Sequence, residues 1–369
     1  MPRVRILLST GRAVVYGLCA TVLGLILVGK SPQVACGQPA PAVDSIGQAL
    51  VENHPGGAVI GLLRGDTTAV HAFGTVDSTG RSPTARTVFE VGSVTKTFTG
   101  LLLADAIERD EVELSTPVGA LLPDSVSLDT ADSTTVTLGH LATHRSGLPR
   151  LPANLGATAR PWDPYAAYSD SALYAFLDGY TLPRAPGTGY QYSNLGAGLL
   201  GHLLARRADT TYAALIRRRI TAPLGLSDTR IQLTGAQRSR FAQGHTRAGA
   251  STSPWHFDAL AGAGALRSTP ADLLSYLRAH RRALTADPDT ATTLHRAMRR
   301  ATTVQAPTDR ENTRVALGWH QSTREGHEVL WHNGGTGGFR SVVVLVSATL
   351  SSRRVLEAGM TLLRILRSD

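Results

Sequence analysis

Within the stretch from Thr87 to Leu103, Ser93-Val94-Thr95-Lys96 opens an apolar helix expected to run from about Val94 to Glu108. Residues three apart on a helix lie on one face, so the Ser93 hydroxyl and the Lys96 amine can touch. That sets a nucleophile beside a base. The spacing alone is common on solvated helices, and composition makes it specific. Of 37 basic residues, 35 are arginine and two are lysine, Lys30 and Lys96. Lys30 flanks a hydrophobic N-terminal segment, so Lys96 is expected to be the one lysine of the mature chain. An amine can lose its proton when desolvated and serve as a base, whereas a guanidinium stays charged at any working pH. A chain that uses arginine for its other cations, yet keeps an amine three residues after a serine, points to nucleophilic catalysis.

At 369 residues the chain is long enough for one large core or two lobes, and 42% hydrophobic with 18% charged residues reads as globular. Residues 1–12 carry Arg3, Arg5 and Arg12 without an acid, and Ala13 to Gly29 is an uncharged, mostly apolar run of 17. A basic start followed by an apolar run predicts export, with residues 1–42 as a signal peptide or an N-terminal membrane anchor. The run is long for a signal peptide and short for a spanning helix, so residues 13–29 fit either use. Ala40-Pro41-Ala42 offers the small-x-small pattern of a cleavage site. The expected location is periplasmic or extracellular, free or held at the inner membrane. Cys19 lies in the apolar run, which leaves the mature chain at most Cys36 and no intramolecular disulfide.

Formal charge is +9, of which Arg3, Arg5, Arg12 and Lys30 supply four, leaving +5 for residues 43–369. Arginines cluster at Arg217-Arg218-Arg219, Arg281-Arg282 and Arg299-Arg300, all in segments expected to be helical. No interleaved aromatics or binding motif accompany them, so they read as a solvated basic face and no nucleic-acid partner is expected.

His54-Pro55-Gly56-Gly57 stops a short helix from Asp44 to Glu52, and Ala58 to Arg64 and Thr67 to Phe73 form strands around a Gly65-Asp66 turn. His140 and His144 stand four apart, a zinc spacing, in a helix that runs into Arg145-Ser146-Gly147-Leu148-Pro149. With no glutamate between them and no third ligand nearby, neither a metal nor another cofactor is expected. The Gly/Pro-rich loop from Pro186 enters a helix reaching about Arg207, with Tyr192 and Asn194 at its mouth, where side chains can face a cleft. Helices near Tyr212 to Arg219, Pro270 to Arg282 and Ala291 to Arg300 fill a middle section poor in strands. Val315 to His320, Glu328 to His332 and Val342 to Ser347 return to strand character, and a helix near Val355 to Leu366 closes the chain. His332-Asn333-Gly334-Gly335 lacks the Gly-Lys-Ser/Thr ending of a phosphate loop, while its glycines let backbone N–H groups approach a substrate as an oxyanion hole requires.

Taken in order, Ser93-Val94-Thr95-Lys96, Tyr192-Ser193-Asn194 and His332-Asn333-Gly334 resemble the three active-site motifs of the class C β-lactamase and D-alanyl-D-alanine peptidase family of serine hydrolases, a group that includes family VIII esterases. Phe89 to Thr99, Leu141 to Pro149, Pro223-Leu224-Gly225-Leu226 and Gly264 to Leu273 add to the likeness, which runs from His54 to the C-terminus. The resemblance implies an α/β (α+β) fold, β-lactamase/transpeptidase-like. An antiparallel sheet flanked by N- and C-terminal helices forms one lobe, about 43–115 and 310–369 of a domain spanning 43–369. A mainly helical lobe, about 116–309, is inserted, and the site lies in the cleft between them.

Carried onto this chain, the resemblance makes Ser93 the nucleophile and Lys96 its base, alone or with Tyr192, which returns a proton to the leaving group. Asn194 binds the substrate amide, the N–H groups of Ser93 and Gly335 form the oxyanion hole, and Gly334 is counted with them as substrate-binding. His332 stands where many relatives have a lysine that meets the substrate carboxylate. The implied activity is an acyl-enzyme hydrolase acting on the amide, β-lactam or ester carbonyl of a small molecule or a peptidoglycan-like peptide. The alternatives are a family VIII-type esterase, or a penicillin-recognising binding or sensor protein or inactive copy.

Two departures qualify this. Imidazole is mostly neutral at pH 7, which lowers a dedicated β-lactamase relative to peptidase or esterase. The family also follows the third motif with a two-stranded hairpin, whereas here Phe339 to Ser347 leads almost directly to the last helix. About one strand is missing, which predicts either a four-stranded sheet with an exposed edge or a deletion that harms folding.

Overall fold

The computed structural model describes residues 23–29, 40–52, 56–128, 134–157, 159–324 and 327–346. One lobe is built on an eight-stranded sheet: β1 (Leu23–Gly29), β2 (Gly57–Arg64), β3 (Thr67–Gly74), β4 (Ala306–Pro307), β5 (Thr313–Val315), β6 (His320–Arg324), β7 (His327–Gly335) and β8 (Arg340–Val346). Their order across the sheet is β3-β2-β1-β8-β7-β6-β5-β4. The described helices of nine residues or more are α1 (Ala40–Val51), α2 (Thr95–Ile107), α3 (Asp170–Asp178), α4 (Asn194–Arg207), α5 (Pro270–Thr285) and α6 (Thr293–Thr302). Among the described residues no helix is long and apolar enough to cross a membrane.

The sheet is covered on both faces, which is why β2 and β8 are almost uninterrupted apolar runs. Val342, Val344 and Val346 of β8 pack with Ile60 and with Val43 and Leu50 of α1. Val343 and Leu345 point the other way, into the main core that includes Leu273 and Leu277 of α5. Gly65 closes the β2–β3 hairpin at φ 59°, a left-handed conformation that favours glycine.

The expectation of a four-stranded sheet is corrected. β1 pairs in parallel with β8, from Leu23 opposite Arg340 to Val28 opposite Leu345, and with β2, from Leu23 opposite Ala58 to Gly29 opposite Arg64. All other neighbours in the sheet are antiparallel. β1 is the second part of the apolar run read above as a leader, because hydrophobicity alone does not separate a buried strand from an export segment. The rest of that run and the closing helix near Val355 to Leu366 lie outside the described residues.

A second correction concerns Val315 to His320, which is not one strand. Residues 316–319 form a turn between β5 and β6, with Gly318 at φ 72°. This turn sits against α2, whose residues from Thr95 to Ala106 are all buried, Lys96 and Asp105 among them, so the helix is enclosed on every side. The approach is backbone on backbone. A Cβ on Gly100 would strike the Leu317 carbonyl, and one on Gly318 would strike the Lys96 carbonyl.

Gly318→Ala combines a left-handed backbone with that collision, whereas Gly65→Ala has the same backbone handedness and open space around it. Thermal melts should show Gly65→Ala losing about 1 kcal/mol and Gly318→Ala losing roughly 3 kcal/mol or failing to fold. Equal losses for the two would mean that α2 and the turn are not in tight contact.

Candidate active site

α2 is entered through one tight turn, Gly92–Val94, with Gly92 at φ 48°. The turn lies beside the end of β7, where a Cβ on Gly92 would come within 2.8 Å of the Gly335 nitrogen and oxygen. Ser341 on β8 ties the two together by donating to the Val91 carbonyl at 2.7 Å. Ser93, in this turn, is half-buried, and its hydroxyl is held next to the first turn of α2.

Lys96 is 2% exposed and its Nζ lies 2.9 Å from Ser93 Oγ, 2.9 Å from Asn194 Oδ1 and 2.6 Å from the Ala263 carbonyl. Burial, with a contribution from Arg150, pushes its pKa well below 10.5. Carbonyl oxygens can only accept, so a neutral amine gives its two N–H groups to Asn194 and Ala263 and keeps its lone pair for the Ser93 hydroxyl. That is the arrangement in which the amine can take the serine proton.

Asn194 opens α4, capped by Ser193, whose Oγ accepts from Gly196 N and donates to the Pro149 carbonyl. Asn194 Nδ2 donates to Tyr165 Oη at 3.0 Å, which fixes its amide orientation toward Lys96. The Tyr192 ring centroid lies 5.0 Å from Lys96 Nζ and 5.2 Å from the Arg150 guanidinium. Burial raises the Tyr192 pKa to about 12, opposed by a hydrogen bond with Ser93 and by Arg150. Ser93, Lys96, Tyr192 and Asn194, distant in sequence, are therefore in one cluster.

The third motif arrives on β7. Gly334 passes so close to the Gly92–Val94 turn that a Cβ there would lie 3.0 Å from Ser93 N and strike the Val91 carbonyl, while Gly335 is exposed. His332 is 0% exposed, with its ring centroid 6.3 Å from that of Tyr192, so its imidazole does not open onto solvent. Its Nδ1 donates to the Asn333 carbonyl at 2.6 Å, which leaves Nε2 a buried acceptor without a partner. Burial pushes its pKa well below 6.5.

Several further residues surround this cluster that the sequence did not mark as part of the site. The His144 ring, at 4.5 Å from Tyr192, accepts at Nδ1 from Ser193 N, whereas His140 Nδ1 accepts from Thr137 N. The zinc spacing of these two histidines thus serves two separate backbone groups. His320 at the start of β6 bonds Tyr190 through Nε2 at 2.9 Å and stands 5.2 Å from His332. Tyr165, stacked on Phe257 at 4.6 Å, and Arg150 complete the surroundings.

Comparison with known proteins places this geometry in context. The family model described as Beta-lactamase matches residues 43–361. A β-lactamase of Escherichia coli (strain K12) is 32% identical over 228 residues, covering 61% of this chain and 56% of that protein. The D-alanyl-D-alanine-carboxypeptidase/endopeptidase AmpH of the same strain is 27% identical over 272 residues, covering 72% of this chain and 69% of that protein. The chain thus spans little more than half the length of the first of these relatives. The crystal structure of the D-alanine carboxypeptidase AmpC from Burkholderia cenocepacia is 25% identical and superposes with a TM-score of 0.67, covering 88% of this chain and 97% of that one. The mixed helix-and-strand fold is that of the β-lactamase/transpeptidase group.

Buried neutral histidines give this protein an acid-labile core. Burial lowers His280 and His320 from 6.5 to about 4, and holds His144 and His332 well below 6.5. The unfolded chain takes up protons at these positions before the folded one does, so their stabilisation is complete above about pH 6.5 and is lost as pH falls toward 4. Each such group accounts for about 1.4 kcal/mol per pH unit in that window. Denaturant melts should therefore weaken from pH 7 to 4.5, and His280→Gln, on α5, should flatten the dependence by about that slope. Parallel curves for variant and wild type would show that His280 does not titrate with folding.

Proposed function

The chain belongs to the β-lactamase family, and from that premise we propose that it is a metal-independent serine hydrolase working through an acyl-enzyme on an amide, β-lactam or ester carbonyl. The observation that carries this is the 2.9 Å contact between Ser93 Oγ and the buried, pKa-lowered Lys96 amine. Ser93 Oγ attacks the carbonyl carbon while its proton passes to Lys96. The oxygen of the tetrahedral intermediate is stabilised by the N–H groups of Ser93 and Gly335. The intermediate collapses by breaking the bond to the leaving group, which takes a proton from the Lys96–Tyr192 pair. Water then attacks the acyl-Ser93 ester by the same route in reverse. Asn194, held between Lys96 and Tyr165, orients the substrate's amide.

A second reading, an esterase with little β-lactam activity, is favoured by His332. In place of a charged lysine the cleft has a buried imidazole held neutral by its surroundings. Peptidase and esterase work share the same Ser93 chemistry and differ in what holds the substrate.

Intact-mass spectrometry with a fluorophosphonate should give one adduct on the wild type and none on Ser93→Ala. Lys96→Arg, which replaces a titratable amine by a permanent cation, should slow acylation by about 10²–10⁴-fold. The wild-type acylation rate should rise with pH through a pKa below 10.5, because only the neutral amine accepts the proton. A folded protein that forms no adduct would sink the enzyme reading, and turnover of a chromogenic ester far above that of a chromogenic cephalosporin would select the esterase.

A further inference from the structure

We infer that Arg150, in place of residue 332, is the residue of this cleft that recognises an anionic group of the substrate. This rests on the serine-hydrolase reading and names a specificity-determining residue for it. Arg150 follows the turn that ends in Pro149, and its carbonyl accepts from Asn194 N at 2.9 Å and Leu195 N at 3.3 Å. Its backbone is thereby fixed to the start of α4, two residues from Tyr192. Its side chain is exposed, with the guanidinium 5.2 Å over the Tyr192 ring.

The two other arginines that border the site are engaged: Arg267 pairs with Glu90 at 3.5 Å, and Arg340, beside Gly335, gives Nη1 to the Thr336 and Phe339 carbonyls at 2.9 Å. Among the described residues Arg150 makes no ion pair. A guanidinium lying on a ring face keeps its in-plane N–H fork free, and that fork matches a carboxylate bidentately.

Among the residues around the Tyr192 ring, the others offer an anion no fixed positive charge, and Arg340 on the far side of Gly335 has its Nη1 turned to backbone carbonyls. Burial keeps His144, His320 and His332 neutral, raises the tyrosines and lowers Lys96. Near Tyr190, Asp309 and Arg310 act with opposite sign. Arg150 exerts its field on Lys96, His144, Tyr165, Tyr190 and Tyr192 alike, so its charge faces the whole cluster. His332, at the position where a cationic anchor would be sought, is 0% exposed and cannot take that part.

Three esters test this on the full-length protein: p-nitrophenyl butyrate, which is neutral; mono-p-nitrophenyl succinate, with a carboxylate on the acyl side; and 3-carboxy-4-nitrophenyl butyrate, with one on the leaving group. Wild type should favour one anionic ester over the neutral one, and the favoured ester tells which side Arg150 reads. In Arg150→Ala the ratio of kcat/KM for that ester to that for the neutral ester should fall about 10- to 100-fold, mainly through KM. Arg150→Lys should recover part of the ratio, and Arg150→Glu should invert it. The ratio is the readout because loss of Arg150 also acts on Tyr192, which would slow all three esters together. Equal slowing of all three by Arg150→Ala would overturn the inference while leaving the hydrolase reading intact. Failure of Ser93 to react with a fluorophosphonate in the wild type would instead remove the reading beneath it.

Discussion

The structure depends on one expensive act, the removal of the Lys96 amine from water. An isolated buried ammonium is strongly unfavourable, and the protein answers by gathering acceptors from three places: Ser93 before α2, Asn194 at the mouth of α4, and Ala263 of the short helix at residues 261–264. The same three places bring the catalytic candidates together. Because α2 is buried along its length, it cannot shift to relieve the amine without disturbing both lobes. Glycines at 100 and 318 let the β5–β6 turn close on the helix backbone at Lys96 itself.

What could be read in the sequence was what local rules control. A serine and a lysine three apart must share a helix face, and α2 begins within a residue of the expected position. α4 and α5 were legible because each is capped, by Ser193 and by Thr269 with Pro270 at its first turn. The turn at residues 316–319 was hidden because its apolar residues are buried against α2 and imitate a strand. His320 and Arg150 were hidden for a different reason. Their significance lies in neighbours more than 40 residues away, Tyr190 and Tyr192, and no local pattern encodes such a meeting.

β1 shows how one apolar segment can satisfy two physical demands. The place between β2 and β8 needs backbone N–H and C=O groups to complete the sheet, and any extended apolar strand can supply them. An export segment needs the same hydrophobicity and no particular register. Leu23–Gly29 meets both requirements, but one molecule cannot place those residues in the sheet and in a bilayer at once. Completion of the sheet and any use of this stretch for export would thus compete for the same residues.

Electrostatics explains why a neutral His332 is compatible with a working Lys96. A second cation beside the amine would lower its pKa further but would also leave two desolvated charges wherever the amine took a proton from Ser93. A neutral imidazole at 332 avoids that repulsion at the step where Lys96 becomes charged. The positive charge is moved instead to Arg150, at the exposed rim, where water carries most of its solvation and screening weakens its effect on the amine. On the proposed reading, proton transfer and anion recognition fall to different residues, whose cationic groups lie 5.0 and 5.2 Å from the Tyr192 ring. The buried amine can cycle between its two states, while the rim guanidinium keeps its charge throughout.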